Sequence, residues 1–131
     1  MTEIIISSDK SISVSKSENS YYGESKADIF KLIIPCCLNG IPIENSDISF
    51  CFALPDGNLD RISLNDYGFT ASRLRSCFIF YFRPGESFYS NIGKVKCWIE
   101  LKYNDVLIKS DICEIEIHKH FCNKAQEKSI K

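Results

Sequence analysis

Residues 94–103, KVKCWIELKY, decide the fold class because polar and apolar side chains alternate along them. One face of an extended strand would carry Val95, Cys97, Ile99, Leu101 and Tyr103. The opposite face would carry the three lysines together with Trp98 and Glu100. Such a strand packs one side against a core and exposes the other to water. Asn104-Asp105 then predicts a tight turn, with a returning strand in two parts over 106–108 and 113–117.

The composition of the whole chain agrees with this interpretation. Isoleucine is the commonest residue with 19 copies, and Ile, Val, Thr, Phe, Tyr and Trp together number 40. Ala, Leu, Met, Glu and Gln, which favour helices, number only 23. Side chains that are stiff at the first torsion suit a pleated surface, so the sequence predicts an all-β protein.

Turn signals recur about every 8 to 12 residues, as in two-sheet proteins. Strands are predicted at 12–14, 29–38, 48–54, 59–64 and 77–82 in addition to those above, giving roughly eight. Asn39-Gly40, the PDGN run at 55–58 and Asp66-Tyr67-Gly68 supply reversals. The predicted fold is an antiparallel two-sheet β-sandwich, Ig-like or jelly-roll-like. Alternation alone does not distinguish it from a small closed barrel.

A chain of 131 residues has room for one core of ordinary size. Residues 1–25 contain eight serines and predict an N-terminal arm with a short edge strand. The β-sandwich is expected over 26–121, followed by a disordered polar tail at 122–131.

Charge and cysteine content narrow the class of protein. The net charge of −1 gives no general attraction to nucleic acid or to anionic lipid, so neither is an expected partner. Seven cysteines is an odd number, and most lie in apolar runs, which favours free thiols in a reducing compartment. The N-terminus lacks the pattern of a secretion signal, so we expect synthesis in the cytoplasm.

Residues with catalytic or metal-binding chemistry are few. His118, His120 and Cys122 share one strand face, but zinc sites usually draw on two separated ligand pairs, so a solvated strand end is the simpler interpretation. The spacing of Asp56, Asp60 and Asp66 is better explained by turns than by a calcium loop or paired catalytic acids. No phosphate-binding glycine loop or nucleophile elbow is present in the sequence. We therefore predict no enzyme activity, no cofactor and no metal.

Two features predict a contact surface. Trp98, the only tryptophan, falls on the polar face of its strand, where it can anchor a partner protein, stack on a ligand or lie under the chain's own N-terminal arm. The run CFIFYF at 77–82 is apolar on both faces, with Phe78, Phe80 and Phe82 on one of them. A sandwich strand buries one face, so the second needs a cover from the same chain or from another subunit. Phe78, Phe80, Phe82 and Trp98 are the predicted interface residues, and a homo-oligomer is expected.

Three segments together resemble the N-terminal domain of phage baseplate upper proteins. They are KSISVSK at 10–16, ADIFKLIIPCCLNGIPIENSDISFCFALPDGN at 27–58 and IGKVKCWIELKYNDVLIKSDICEIEI at 92–117. The resemblance covers about 10–118. It implies a non-enzymatic β-sandwich in the tail baseplate of a bacteriophage or prophage, assembled with other tail proteins in the cytoplasm of the bacterial host. Members of that family continue into a helical linker, so the short tail here implies an accessory or simplified component.

Two other functions stay open. The first is a carbohydrate-binding or receptor-binding module, in which Trp98 with Tyr103 or Tyr81 stacks on a sugar. Tyr103 falls on the strand face opposite Trp98, which counts against a shared platform. The second is a hydrolase, for which the residues give little support.

Overall fold

The computed structural model describes residues 1–25, 28–65, 71–74 and 76–119, the stretch 71–74 by its backbone alone. Within these ranges the regular structure is extended, apart from two short 3-10 turns at Ile43–Asn45 and Glu86–Tyr89. No helix in the described part is long and apolar enough to cross a membrane. The predicted all-β fold class is confirmed.

Two sheets and a small hairpin account for the strands of the described ranges. The first sheet has the order β2-β1-β4-β10-β9 and contains β1 (Thr2–Ile6), β2 (Ile12–Lys16), β4 (Phe30–Pro35), β9 (Ala71–Leu74) and β10 (Cys77–Phe82). The second has the order β3-β13-β11-β7-β8, with β12 on β11, and contains β3 (Ser20–Tyr21), β7 (Asp47–Ala53), β8 (Leu59–Ser63), β11 (Gly93–Tyr103), β12 (Val106–Lys109) and β13 (Cys113–His118). The hairpin pairs β5 (Cys37–Leu38) with β6 (Ile41–Pro42).

All eight predicted segments contain strand, but the one predicted over 29–38 is divided into β4 and β5, which lie in different sheets. Four further strands, β1, β3, β6 and β9, are present in the described ranges. Of these, β3 and β6 contain two residues each, which is too short for an alternating pattern to appear in a sequence.

The sheets are mixed rather than purely antiparallel. β1 pairs with β4 in parallel, and β13 pairs with β3 in parallel. The chain leaves the first sheet after β2, forms β3 in the second sheet, and returns to the first sheet as β4 beside β1. A hairpin reverses the chain between β1 and β2, and the passage through β3 reverses it again, so β4 runs parallel to β1.

The core lies between the two sheets, as the predicted sandwich requires. Phe30 of the first sheet meets Phe50 of the second, with ring centroids 5.9 Å apart, and Phe82 lies 5.0 Å from Phe50. Phe88 on the second 3-10 turn packs edge-on against Phe30 at 5.4 Å. Rings in tilted and edge-on contact stabilise such a core beyond the burial of their area.

The N-terminal residues belong to the sheets more closely than the predicted arm implies. β2 forms an edge of the first sheet, as predicted, but β1 lies between β2 and β4 and buries Ile4 and Ile6 in the core. The alternating burial of Thr2–Ile6 explains why this segment pairs with β4 instead of projecting from it. The boundary after residue 25 stays a prediction, and the predicted tail at 122–131 lies outside the described residues.

The hairpin turns follow the sequence signals. Leu54 N donates to Asn58 O at 2.8 Å around the Pro-Asp-Gly turn, where Gly57 has φ +91°. Asn104 has φ +52° in the two-residue turn between β11 and β12. Asparagine tolerates this left-handed conformation, which a twisted two-residue hairpin requires. The predicted reversal at 66–68 lies outside the described ranges.

Candidate protein-contact surface

Trp98 lies on the outer face of the second sheet, as the alternation along β11 predicts. Its side chain is half-buried, and Cys51 of β7 lies directly opposite in the strand register. Cys51 is small, so it leaves a depression beside the indole ring. The indole ring of Trp98 therefore borders a depression on the outer face of the second sheet.

Glu100 holds the indole in place. Trp98 Nε1 donates to Glu100 Oε2 at 2.9 Å, while Arg61 Nη2 lies 3.2 Å from Glu100 Oε1. Lys109 Nζ approaches Glu100 Oε2 at 3.8 Å. Glu100 is only 8% exposed, and a carboxylate at that depth requires donors and positive charges around it.

These contacts set the ionisation of the site. The hydrogen bond from Trp98, together with the charges of Arg61 and Lys109, outweighs burial and lowers the pKa of Glu100. Burial and the nearby Glu100 carboxylate raise the pKa of Cys51 to about 12. Glu100 is therefore an anion at neutral pH and Cys51 is a neutral thiol, which makes it a poor nucleophile.

A groove of about 390 Å³ runs over this part of the sheet, and we call it the Trp98 groove. It is lined by Cys51, Leu59, Asp60, Arg61, Trp98, Glu100 and Lys109. Leu59 at one rim is 71% exposed. The groove thus combines an indole, an exposed aliphatic side chain and a fixed set of charges.

The aspartates in the 55–60 region stabilise local structure, as the sequence predicts. Asp56 accepts hydrogen bonds from Asn58 N at 3.0 Å and from Asn91 Nδ2 at 3.2 Å. Asp60 accepts from Arg61 N at 2.8 Å and from Ser87 Oγ at 2.9 Å. Asp66 lies outside the described residues.

The structure separates the predicted phenylalanine interface residues from Trp98. Phe80 and Phe82 are 6% and 2% exposed and belong to the core, and Phe78 is half-buried beside Phe80. This face of β10 points inward, so Phe80 and Phe82 are not accessible to a partner of the folded chain. The sequence did not show which face of β10 points to the core, because both faces are apolar.

The reverse face of β10 lies on the outside of the first sheet. Ile79 is aligned across the strands with Ile33 of β4, and Ile33 with Ile5 of β1. Ile5 and Ile33 are half-buried, and Ile79 is 9% exposed. This isoleucine row was missed in the sequence because it depends on the register of three strands. The signals in the sequence were the second apolar face of 77–82 and the alternation of Ile5 and Ile33 with core residues.

Of the histidine and cysteine group at 118, 120 and 122, the structure describes only the first member. His118 Nδ1 lies 3.6 Å from Glu116 Oε2, and its ring is 6.1 Å from that of Tyr21. His120 and Cys122 are outside the described residues. Within the described ranges, no group of three His, Cys, Asp or Glu side chains is placed to hold a metal ion.

Of the seven cysteines, the six in the described part of the chain are free thiols. Cys51 and Cys97 are buried, whereas Cys37 is exposed. The remaining three, Cys36, Cys77 and Cys113, are half-buried. Cys97 belongs to the core between the sheets, whereas Cys51 is buried on the outer face of the second sheet.

No protein-family model matches the sequence, and no curated protein sequence matches it. Among solved structures, the chain is similar to the N-terminal domain of phage TP901-1 ORF48, with 12% sequence identity and a TM-score of 0.46. The alignment covers 89% of this chain and 97% of that one.

Proposed function

We propose that the chain is a structural, non-enzymatic component of the tail baseplate of a bacteriophage or prophage. It acts by protein–protein contact with other tail proteins and with further copies of itself, and it is located in the virion tail after assembly in the host cytoplasm. The sequence resemblance over 10–118 supports the tail context. The Trp98 groove is the observation that carries the contact role.

A rigid tryptophan at the side of a groove is a typical anchor for a partner protein. Tryptophan is enriched among the residues that contribute most to binding energy, and such residues lie in pockets surrounded by polar groups. In the Trp98 groove, the hydrogen bond to Glu100 fixes the ring before a partner arrives. Little side-chain entropy is then lost on binding, which favours a stable contact.

The proposed role is tested first by locating the protein. Particles are purified on a density gradient from a bacterium that encodes the chain together with a tailed phage, and their proteins are quantified by mass spectrometry. We expect the chain in intact particles at a fixed ratio to the other tail proteins. Its absence from particles, with the free protein present in the same cells, contradicts the proposal.

The role of the groove is tested with a matched pair of variants. Trp98→Ala removes the anchor, and Tyr22→Ala removes another partly exposed aromatic side chain, 55% exposed, away from the groove. We expect Trp98→Ala to lower incorporation into particles about tenfold or more, and Tyr22→Ala to leave it unchanged. Circular dichroism of both purified variants establishes that they are folded. Equal incorporation of the two variants would place the contact elsewhere.

A second candidate function is carbohydrate binding, and the same groove favours it. An indole beside charged and hydrogen-bonding side chains is a common arrangement for holding a sugar ring. The predicted aromatic partners do not join it, since Tyr81 belongs to the first sheet and Tyr103 points to the opposite face of β11 from Trp98. A glycan array with the wild type and Trp98→Ala distinguishes the two functions. A sugar signal that the variant loses would support this candidate over assembly.

A further inference from the structure

The edge strand β12 exposes two apolar side chains at one edge of the second sheet. β12 pairs with β11 on one side, and on its other side it pairs with no strand of the described ranges. Leu107 is 54% exposed and Val106 is 44% exposed. An open apolar edge of this kind is a template for pairing with another chain.

The backbone of β12 directs unpaired N–H and C=O groups away from β11, where another strand can bind them. The two-residue turn closes on the pair Tyr103 and Val106, and Ser110 N donates to Ile99 O at 2.9 Å. Hydrogen-bonded and non-hydrogen-bonded pairs alternate along an antiparallel ladder. Leu107 and Lys109 therefore occupy non-hydrogen-bonded positions, and their backbone N–H and C=O groups point away from β11.

The side chains of β12 are complementary to those of a second copy. Leu107 and Lys109 lie on one face of β12, and Asp105 in the preceding turn is exposed. If two β12 strands run antiparallel about an axis at Leu107, the two Leu107 residues face each other. Each Lys109 then lies opposite Asp105 of the other copy. Opposite charges in directly facing positions stabilise a strand pair.

Other registers do not offer this match. A shift of one residue aligns an outward-pointing backbone group of one strand with an inward-pointing group of the other, which breaks the ladder. A shift of two places Lys109 opposite Leu107, so the ion pairs are lost. The sequence therefore selects the register centred on Leu107.

The other long edge of the second sheet is protected against such pairing. At β8, Leu54 N donates to Asn58 O and Leu64 N donates to Ile48 O, so Arg61 N points away from β7. Asp60 Oδ1 accepts from Arg61 N at 2.8 Å and occupies that donor. A charged side chain that caps the edge is a common way to prevent edge pairing.

We propose that β12 is the site at which two copies of this chain join, by antiparallel pairing of β12 with β12 into one continuous sheet. The partner is thus a second copy, and the contact is isologous, with the same residues on both sides. The presence of this dimer in a phage particle rests on the proposed function, whereas the pairing of the two strands does not. A four-residue edge buries far less than the roughly 1,200 Å² of a standard interface, so the dimer forms at high local concentration.

The test is sedimentation velocity of the purified chain at rising protein concentration, with two matched proline variants. Leu107→Pro removes the outward N–H of β12 without removing a bond to β11, and Val14→Pro makes the same change at the edge strand β2 of the other sheet. We expect the wild type and Val14→Pro to shift to a dimer while Leu107→Pro remains a monomer. A wild type that stays monomeric to about millimolar concentration, or a Leu107→Pro dimer equal to the wild type, overturns the proposal.

A charge exchange tests the register independently of proline. Asp105→Lys places like charges opposite each other twice in the dimer, and adding Lys109→Glu restores opposite charges. We expect the single variant to raise the dimer Kd about tenfold and the double variant to recover most of the loss. Equal Kd values for all three proteins overturn the register. The presence of the chain in particles is measured separately, so failure of the dimer and failure of the baseplate role are distinguishable.

Discussion

β10 and β11 are both central strands of their sheets, yet their sequences differ in how much they reveal. β11 alternates polar and apolar residues, so its inner and outer faces are evident from the order of its residues alone. β10 is apolar throughout, and only the packing of the folded chain shows that Phe80 and Phe82 point inward and Ile79 outward. Polar residues, more than apolar ones, therefore specify which face of a strand points inward.

The largest expected effect comes from the inner face of β10. Phe82→Ala removes a ring that contacts Phe30 at 5.6 Å and Phe50 at 5.0 Å, and we expect a loss of about 3–5 kcal/mol in the free energy of unfolding. Tyr81→Ala, on the outer face next to it, should cost about 1 kcal/mol. Urea unfolding followed by circular dichroism measures both. Equal losses would show that the inward assignment of Phe82 is wrong.

A smaller contrast is expected on β4, which runs beside β10. Ile34 is fully buried and Ile33 is half-buried in the isoleucine row on the outside of the sheet. Replacing a buried isoleucine by threonine introduces a hydroxyl without a partner, so Ile34→Thr should destabilise by about 2–4 kcal/mol. Ile33→Thr should cost about 1 kcal/mol or less. The same unfolding assay applies, and a larger loss for Ile33→Thr would mean that the row is a second core.

On β11, the outer face is tested through its buried carboxylate. Glu100→Gln weakens the charged contacts with Arg61 and Lys109, and we expect a loss of about 1–2 kcal/mol at pH 7. The pKa of Glu100 is lowered from its usual 4.5, so the ionised form stabilises the fold above that pH. This stabilisation disappears as the pH falls through the lowered pKa.

The gap in unfolding free energy between the wild type and Glu100→Gln should therefore narrow below about pH 4.5. Urea titrations at pH 7, 5, 4 and 3 measure it. Glu114→Gln is the control. The Glu114 side chain is 47% exposed, and its Oε1 lies 3.9 Å from Lys94 Nζ in an exposed ion pair. This variant should change stability by less than about 1 kcal/mol at every pH. A gap for Glu100→Gln that is constant with pH contradicts the lowered pKa.

The smallest effect concerns thiol reactivity. Cys37 is exposed, whereas Cys51 is buried in the floor of the Trp98 groove with a pKa raised to about 12. At pH 8 we expect iodoacetamide to label Cys37 in the native protein and to label Cys51 only in urea. Peptide mass spectrometry identifies the sites. Rapid labelling of Cys51 in the native protein would show that its thiol is accessible to solvent, which contradicts its burial.

The sequence predicts the outer position of Trp98 because a single strand with polar neighbours determines it. It does not predict the cluster around Glu100, since Arg61 and Lys109 come from two other strands and meet Glu100 only through the register of β7, β8, β11 and β12. The isoleucine row is not predicted either, because it depends on the register of β1, β4 and β10. Local alternation is readable in a sequence, whereas cross-strand alignment depends on how the hairpins close.

The burial of side chains explains the remaining differences between the predicted and the observed structure. A face made of phenylalanine is equally suited to a core and to an interface, so composition could not assign Phe80 and Phe82 to either. Similarly, the three isoleucines of Thr2–Ile6 are too short a run to outweigh the serines that follow. In both cases the decision comes from the neighbouring strands.

The proposal that the chain binds its partners through the outer face of its second sheet is tested by cross-linking mass spectrometry of purified particles. Lys96, Lys102 and Lys109 flank Trp98 on that face, whereas Lys31 lies on the outside of the first sheet. With an amine-reactive reagent, we expect the three lysines to cross-link to other tail proteins. Cross-links confined to Lys31, or to no other tail protein, would contradict the claim.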